Sequence, residues 1–197
     1  MDYQVIILLG APGSGKGTQA VRMAERYNLG HISTGNLLRA ADGAPDTSKE
    51  DQDKIDAMKR GNLVADELIY KLAFAEIEKY FDKGQGVILD GAIRTVSQAQ
   101  AYEEFFDDQG VADKTIVLEI AIPDEMSLTR LLGRAEQTGG AREDDKEEIM
   151  RERIELQGNA AIAPLREFYE SLGILEIIDG KPPINEVEQA IVDVITR

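Results

Sequence analysis

Residues 3–20 read YQVIILLGAPGSGKGTQA, and this stretch decides the fold. An apolar run from Val5 to Leu9 ends at Gly10, continues as a loop of small residues and is followed by helix-compatible sequence. This order predicts a buried strand, a glycine loop and a helix. The glycines let the loop turn tightly with its N–H groups facing inward, and the N-terminus of the helix adds positive potential. Because Lys16 supplies a point charge at the same place, the stretch predicts a phosphate-binding site.

Further apolar runs alternate with segments of helical periodicity along the rest of the chain. They are residues 31–33, 86–90, 115–122 and 174–178. Near-continuous apolar runs are typical of parallel strands that are buried on both faces. Together with the first run, they predict an α/β fold with a five-stranded parallel sheet and helices on both faces, in three layers. Ligands on such sheets bind at the carboxyl ends of the strands.

Several local features give sharper predictions. A long helix is expected to begin at Asp144, and Pro164 is expected to kink or break it, because proline has no N–H to donate. Asn185 is predicted to cap the last helix. The single histidine, His31, is interpreted as a structural residue, and Glu103 is interpreted as part of a solvated acidic face.

The composition limits the classes of function. The chain has 197 residues, enough for one α/β domain, and 22 lysines and arginines within a formal net charge of −15. This charge argues against binding to nucleic acid or to anionic membranes, and no apolar run is long enough to span a bilayer. The absence of cysteine excludes disulfides and thiolate zinc sites, and it fits a cytoplasmic location. The sequence leaves the oligomeric state open, with a monomer as the default.

The glycine loop departs from the general P-loop at one position. The general motif has Ser or Thr directly after its lysine to hold Mg²⁺. Here Gly17 follows Lys16, and Thr18 comes one residue later. The pattern Gly-x-Pro-Gly-x-Gly-Lys-Gly-Thr resembles the nucleoside monophosphate kinases, and the adenylate kinase family above all.

The resemblance covers nearly the whole chain and implies a P-loop kinase of one domain, residues 1–197. The implied parts are a core (1–33, 63–134 and 144–197), a small flap that binds the nucleoside monophosphate (NMP) acceptor (34–62), and a short lid (135–143). The implied reaction is transfer of the γ-phosphoryl group of Mg·ATP to AMP, giving two ADP.

On the donor side, the resemblance rests on the glycine loop, on the arginines near residue 130 and on the run DGKPP at residues 179–183. The resemblance implies that Arg130 stacks on the donor adenine and that the late loop contacts the same base. The implied ATP-binding residues are Gly13, Ser14, Gly15, Lys16, Gly17, Thr18, Arg130, Arg134, Lys181 and Pro182.

On the acceptor side, the matching segments are HISTGNLLRA at residues 31–40 and LDGAIRT at residues 89–95. The resemblance places Thr34 and Gln98 near the acceptor base. The implied NMP-binding residues are Thr34, Gly35, Arg39, Leu63, Val64, Gly91, Arg94, Gln98, Arg142 and Arg153.

Phosphoryl transfer depends on positioning and charge neutralisation rather than on a protein nucleophile. By the same resemblance, the catalytic cations are Lys16, Arg94, Arg134, Arg142 and Arg153. Asp144 and Asp145 are expected to orient these arginines. Asp90, at the end of a strand, is expected to hold Mg²⁺ through water, which offsets the missing hydroxyl of the glycine loop.

Two departures from the family pattern leave an alternative open. Ala92-Ile93 replaces Phe-Pro beside the acceptor base, and Asn36 stands where the family usually has Asp. A looser pocket is therefore predicted, and the alternative is a UMP/CMP kinase or a kinase that accepts several nucleoside monophosphates. From a different class, a nucleotide-binding switch or scaffold without turnover is disfavoured. The guanine-reading Asn-Lys-x-Asp run is absent, and no phosphate-facing arginine of the family pattern is missing.

Overall fold

The computed structural model describes residues 2–45, 47–59, 66–138 and 147–197. Its strands are β1 (Val5–Leu9), β2 (Gly30–Ser33), β3 (Val87–Asp90), β4 (Thr115–Ala121) and β5 (Leu175–Asp179). They form one five-stranded sheet in the order β2-β3-β1-β4-β5, and each neighbouring pair is parallel. The predicted sheet is confirmed.

Helices occupy most of the sequence between the strands. They are α1 (Lys16–Tyr27), α2 (Thr34–Ala41), α3 (Lys49–Lys59), α4 (Asp66–Phe81), α5 (Val96–Asp108), α6 (Asp124–Thr138), α7 (Glu147–Gln157), α8 (Asn159–Leu172) and α9 (Ile184–Ile195), with a short 3₁₀ turn at Ala112–Lys114. Among the helices that the structure describes, none is both long and apolar enough to cross a bilayer.

Alternation along β1 creates the two hydrophobic cores. Ile7 points to one face of the sheet, where it belongs to a cluster with Tyr102 of α5 and Tyr169 of α8. Ile6 points to the other face and belongs to a cluster with Met23 of α1 and Ile191 of α9. Because both faces of the central strand are covered, the predicted three-layer α/β fold is confirmed.

The segment between β2 and β3 carries α2 and α3 beside the sheet. A separate small cluster of buried residues, Leu38, Ile55 and Leu68, joins α2, α3 and α4. We call α2 and α3 the α2–α3 segment. Leu37 of α2 also packs against the cluster that contains Ile7, so the segment has a small core of its own and also contacts the main core.

Two of the predictions about the helices are wrong. The long C-terminal helix is interrupted at Gly158, between α7 and α8, while Pro164 lies inside α8. A side chain at Gly158 would collide with the carbonyl oxygen of Ile154, so this sharp turn requires glycine. At the last helix, Pro183 holds the N-cap position, and Asn185 instead accepts a hydrogen bond from Arg22 at 2.8 Å.

An ion pair between a buried carboxylate and a partly exposed guanidinium joins the sheet to α8. Glu119 of β4 is fully buried, and its Oε2 accepts a hydrogen bond from Arg166 Nε at 2.8 Å. A second nitrogen of the same guanidinium donates to Oε1, so the contact is bidentate. Since Glu119 pairs in register with Leu9 of β1, this ion pair lies next to the carboxyl end of the strand that leads into the glycine loop.

Candidate functional site

The glycine loop has the backbone geometry that its sequence predicts. Gly15 directly precedes α1 with φ of 98°, and Gly13 has φ of 81°, a region that side chains strongly disfavour. A Cβ at Gly13 would lie 2.9 Å from the carbonyl oxygen of Ser127 in α6, which is too close. Glycine is therefore required there for both conformation and packing, and the loop leads straight into the N-terminus of α1, where anions bind favourably.

Lys16 lies against its own loop. Its Nζ donates to the carbonyl oxygen of Gly10 and, at 3.1 Å, to that of Ala11. The pKa of Lys16 is lowered to about 8: loss of water on burial is the main cause, Asp90 acts against it, and the neighbouring Arg94 and Arg153 add to the lowering. Four of the predicted site residues, Lys16, Asp90, Arg94 and Arg153, are therefore close enough to affect one another's charge.

Asp90 is fixed at the end of β3 by its register with Leu8 of β1. A Cβ at Gly17 would lie 3.2 Å from Oδ2 of Asp90, so the glycine after the lysine leaves room for this carboxylate. Burial lowers the pKa of the nearby Arg94 guanidinium, and Asp90 acts against that shift. The carboxylate thus stands among cations at the mouth of the loop.

A cleft of about 820 Å³ opens at this edge of the sheet. The predicted residues that line it are Gly13, Gly15, Lys16, Gly17, Thr18, Gly35, Asp90, Gly91, Arg94, Arg130, Arg134 and Arg153. Apolar side chains of α7 and α8, among them Leu156 and Ile162, also line the cleft. The volume suits a ligand of nucleotide size.

A second cavity of about 510 Å³ adjoins the cleft and shares Gly13, Gly15, Thr18 and Arg130 with it. Ser14, Lys181 and Pro182, which the cleft does not contain, line this cavity. The guanidinium of Arg130 donates to the carbonyl oxygen of Lys181 at 3.1 Å, which joins α6 to the late loop. All the predicted donor residues therefore lie in one of two connected cavities.

Three of the predicted acceptor residues line neither cavity. Arg39 is exposed and donates to Asn36 Oδ1 at 2.6 Å. Thr34 is buried, with its hydroxyl 3.4 Å from the carbonyl oxygen of Gly91. Gln98 is 7% exposed, and both ends of its amide are hydrogen-bonded within the protein. Leu63, Val64, Arg142, Asp144 and Asp145 lie outside the described residues.

Sequence reasoning missed several contacts of charged groups. His31, interpreted as structural, has its Nε2 3.8 Å from Oδ2 of Asp90, so it borders the site. Glu103 is not on a solvated face: it is half-buried, and burial raises its pKa to about 7. The contact of Glu119 with Arg166 was also missed. Of these three residues, only Glu119 stands out in the sequence, as the one acidic residue of strand β4.

The site offers a carboxylate to Mg²⁺, but its described residues include no cluster of side chains that could hold the ion without a ligand's phosphates. In the ranges that the structure describes, no three histidine or acidic side chains gather into a metal cluster. Asp90 is 19% exposed at the mouth of the glycine loop, within reach of a ligand's phosphates. Mg²⁺ is commonly bound by one or two carboxylates together with water and substrate phosphates. A single carboxylate such as Asp90 is therefore enough on the side of the protein.

The sequence is similar to one known protein family over most of its length. The sequence model of the family described as Adenylate kinase matches residues 8–174. An adenylate kinase from Bacteroides fragilis is 38% identical over 176 residues, which cover 89% of both chains. One from Xanthomonas euvesicatoria pv. vesicatoria is 38% identical over 195 residues, 98% of this chain and 99% of the relative. One from Synechococcus sp. is 39% identical over 184 residues, 93% of this chain and 92% of the relative.

Proposed function

The chain belongs to the adenylate kinase family, and we propose that its cleft transfers the γ-phosphoryl group directly between two nucleotides held end to end. The reaction is that of an ATP:AMP phosphotransferase, in which ATP and AMP give two ADP. The observation that carries the proposal is the convergence of Arg94, Arg153 and Asp90 on Lys16 at the mouth of the glycine loop. A mutually repelling group of cations is stabilised when a polyphosphate enters it.

The donor is assigned to the glycine loop and the adjoining cavity. The backbone N–H groups of Gly13 to Thr18 and the N-terminus of α1 would surround its phosphates. Lys16, now bonded to the carbonyl oxygens of Gly10 and Ala11, would exchange those contacts for phosphate oxygens. The donor adenine is assigned to the cavity between Arg130 and the late loop, with Lys181 and Pro182 beside it.

The acceptor is assigned to the opposite end of the cleft, beside β3. Arg94 and Gly91 line the cleft there, and Thr34 and Gln98 lie close to them by their contacts with this segment. Gly35 reaches the cleft while Arg39 does not, so Arg39 would have to approach the acceptor phosphate by a movement of the α2–α3 segment. We therefore propose residues 34–62 as the flap, residues 135–143 as the lid, and the remainder as the core.

Charge neutralisation is the contribution expected from the side chains. In the transition state, negative charge spreads over the oxygens of the transferring group, and fixed cations in a cleft with little water stabilise it strongly. Lys16, Arg94, Arg134 and Arg153 line the cleft for this role, with Arg142 assigned by family pattern. When bound, Mg²⁺ would neutralise further phosphate charge, and Asp90 would hold it through water.

The remaining proposals follow from composition. With no cysteine and a formal net charge of −15, we propose a cytoplasmic protein that acts on small nucleotides and has no nucleic-acid or membrane partner. The monomer remains the default.

The test is formation of ADP from ATP and AMP, measured in a coupled assay. Lys16→Ala and Arg94→Ala are each expected to keep the fold and lose about a hundredfold in turnover, or about 3 kcal/mol of transition-state stabilisation. Lys114→Ala is the matched control, because this exposed lysine lies at the amino end of β4, away from the cleft. Near-normal turnover in either site variant would refute the assigned roles.

The breadth of acceptor use is tested by initial rates with AMP, GMP, CMP and UMP. The two residues in place of Phe-Pro, Ala92 and Ile93, both belong to the buried core, and of the two only Ile93 also lines the cleft. A strong preference for AMP supports the adenylate kinase assignment. Equal rates with all four acceptors would favour the kinase of broad specificity.

A further inference from the structure

The amide of Gln98 is held at both ends by groups of opposite hydrogen-bonding character. Its Oε1 accepts from the backbone N–H of Arg94 at 2.7 Å. Its Nε2 donates to Oδ1 of Asp66, also at 2.7 Å. A backbone N–H can only donate and an ionised carboxylate can only accept, so the two partners determine which end of the amide is which. A flipped amide would set N–H against N–H and oxygen against oxygen.

The surroundings leave this side chain little other freedom. Gln98 is 7% exposed, and its own backbone N–H donates to the hydroxyl of Thr95 at 3.2 Å, in the N-cap of α5. Asp66 is the first residue of α4, so the contact joins the starts of two helices. We call the contacts among Asp66, Gln98 and the Arg94 N–H the amide lock.

A locked amide still has capacity for a ligand. The amide oxygen has a second lone pair and the amide nitrogen a second hydrogen, so one acceptor and one donor remain, in a fixed order. Adenine presents a 6-amino donor next to the ring nitrogen N1, an acceptor, whereas guanine presents a 6-oxo acceptor next to an N1–H donor. A glutamine whose amide can flip can hydrogen-bond to either base, but a glutamine with a fixed amide matches the donor and acceptor order of only one of them.

We propose that Asp66 is a specificity-determining residue, which makes the acceptor site prefer 6-amino over 6-oxo purine monophosphates by locking the Gln98 amide. The inference rests on the proposed function, in which Gln98 meets the acceptor base and the acceptor is AMP. It also supplies a source of selectivity in a site where Ala92-Ile93 replaces the aromatic residue and the rigid turn of the family pattern.

The decisive variant is Asp66→Asn. Asparagine has nearly the same shape, but it can donate or accept, so it tolerates both orientations of the Gln98 amide. We expect the ratio of kcat/KM for AMP to that for GMP to fall by about tenfold, mainly through KM. An unchanged ratio would overturn the proposal. Asp66→Ser, which keeps a residue suited to a helix start and can also donate or accept, gives the same test if the asparagine variant folds poorly.

The matched control is Glu67→Gln, which removes the same charge from the next, exposed position of α4. Its ratio is expected to stay within about twofold of the wild-type ratio, since exposed charges contribute little. An equal change in both variants would show that charge at the helix start is responsible, and it would overturn the lock.

A double variant tests whether Asp66 acts through Gln98. In a Gln98→Ala background, Asp66→Asn is expected to leave the AMP-to-GMP ratio unchanged, because no amide remains to be oriented. A further fall of about tenfold in that background would contradict the lock. The activity of the wild-type protein distinguishes a failure of the proposed function from a failure of the amide lock. If it forms no ADP from ATP and AMP, the proposed function fails, whereas normal activity with an unchanged Asp66→Asn ratio overturns only the lock.

Discussion

Lys16 and Glu119 are charged side chains placed near the same end of neighbouring strands, and the protein treats them in opposite ways. Glu119 is fully buried and receives two hydrogen bonds from Arg166. Lys16 has carbonyl oxygens as hydrogen-bond partners and stands near two further cations, with Asp90 as the opposing charge. One charge is satisfied within the fold, and the other is left to be satisfied by a substrate.

This difference separates a structural charge from a functional one more clearly than burial does. An ion pair that is complete in the absence of ligand holds α8 to the sheet and has no capacity left for chemistry. Burial lowers the pKa of Lys16, so its charge is held at a cost to stability, which an anionic ligand would offset. The comparison can be tested by perturbing each charge and measuring stability and activity separately.

The largest effect on stability is expected for Glu119→Gln. Replacing the fully buried carboxylate removes the counter-charge of the Arg166 guanidinium, which is 31% exposed, so the free energy of unfolding should fall by about 3 kcal/mol. Urea unfolding at pH 7 measures this, and activity below the melting transition should be retained. Glu147→Gln is the control, because it breaks an exposed pair with Arg151 and should change stability by less than about 0.5 kcal/mol. A stable Glu119→Gln variant that has lost activity would refute the structural assignment.

Lys16→Met should have the opposite profile: activity is lost, but the nucleotide-free protein becomes more stable at pH 7. The pKa of Lys16 is about 8 in the folded protein and 10.5 in the unfolded chain. Between these values the unfolded chain binds more protons, so the stability of the wild-type protein rises as pH rises from about 8 to about 10.5. The advantage of methionine is therefore largest below pH 8, and it should shrink by up to about 3 kcal/mol across that window.

Urea unfolding of both proteins at pH 7 and pH 10 measures this difference. Lys114→Met serves as the control, since it removes an exposed lysine and should give no such dependence on pH. If Lys16→Met is less stable than the wild type at pH 7, Lys16 is a structural charge and the contrast with Glu119 disappears.

The smallest expected effect sharpens the comparison within one helix. Arg153 lines the cleft and lowers the pKa of Lys16, whereas Arg151, two positions earlier in α7, pairs with Glu147 at the surface. Arg153→Ala should lower kcat/KM by at least about tenfold, while Arg151→Ala should stay within about twofold. Equal losses in the coupled assay would indicate a general disturbance of α7 rather than a role at the phosphates.

Local signals in the sequence predicted the sheet and the loop well. The strand Val5–Leu9 has the predicted bounds, because it is marked by its own apolar pattern and by the glycine that follows it. The helix break was misplaced because Pro164 is the stronger breaker in sequence, yet a helix can contain it. The break occurs at Gly158, where the turn brings the backbone against the carbonyl oxygen of Ile154.

Motif spacing was enough to predict which residues line most of the cleft, but it did not predict which other residues they contact. The contact between Asp66 and Gln98 spans 32 positions, and the approach of His31 to Asp90 depends on the register of two strands. Neither leaves a periodic signal in one sequence. Glu119 was visible as an isolated charge in β4, but its partner Arg166, 47 positions away, was not.

The close approach between Gly17 and the Asp90 carboxylate couples the glycine loop to the end of β3. A Cβ at position 17 would lie 3.2 Å from Oδ2 of Asp90, which is tighter than ordinary van der Waals contact. The serine or threonine of the general P-loop at this position would therefore require the carboxylate to shift by a few tenths of an ångström. In an engineered or evolved variant, the effects of substitutions at these two positions are expected to depend on each other.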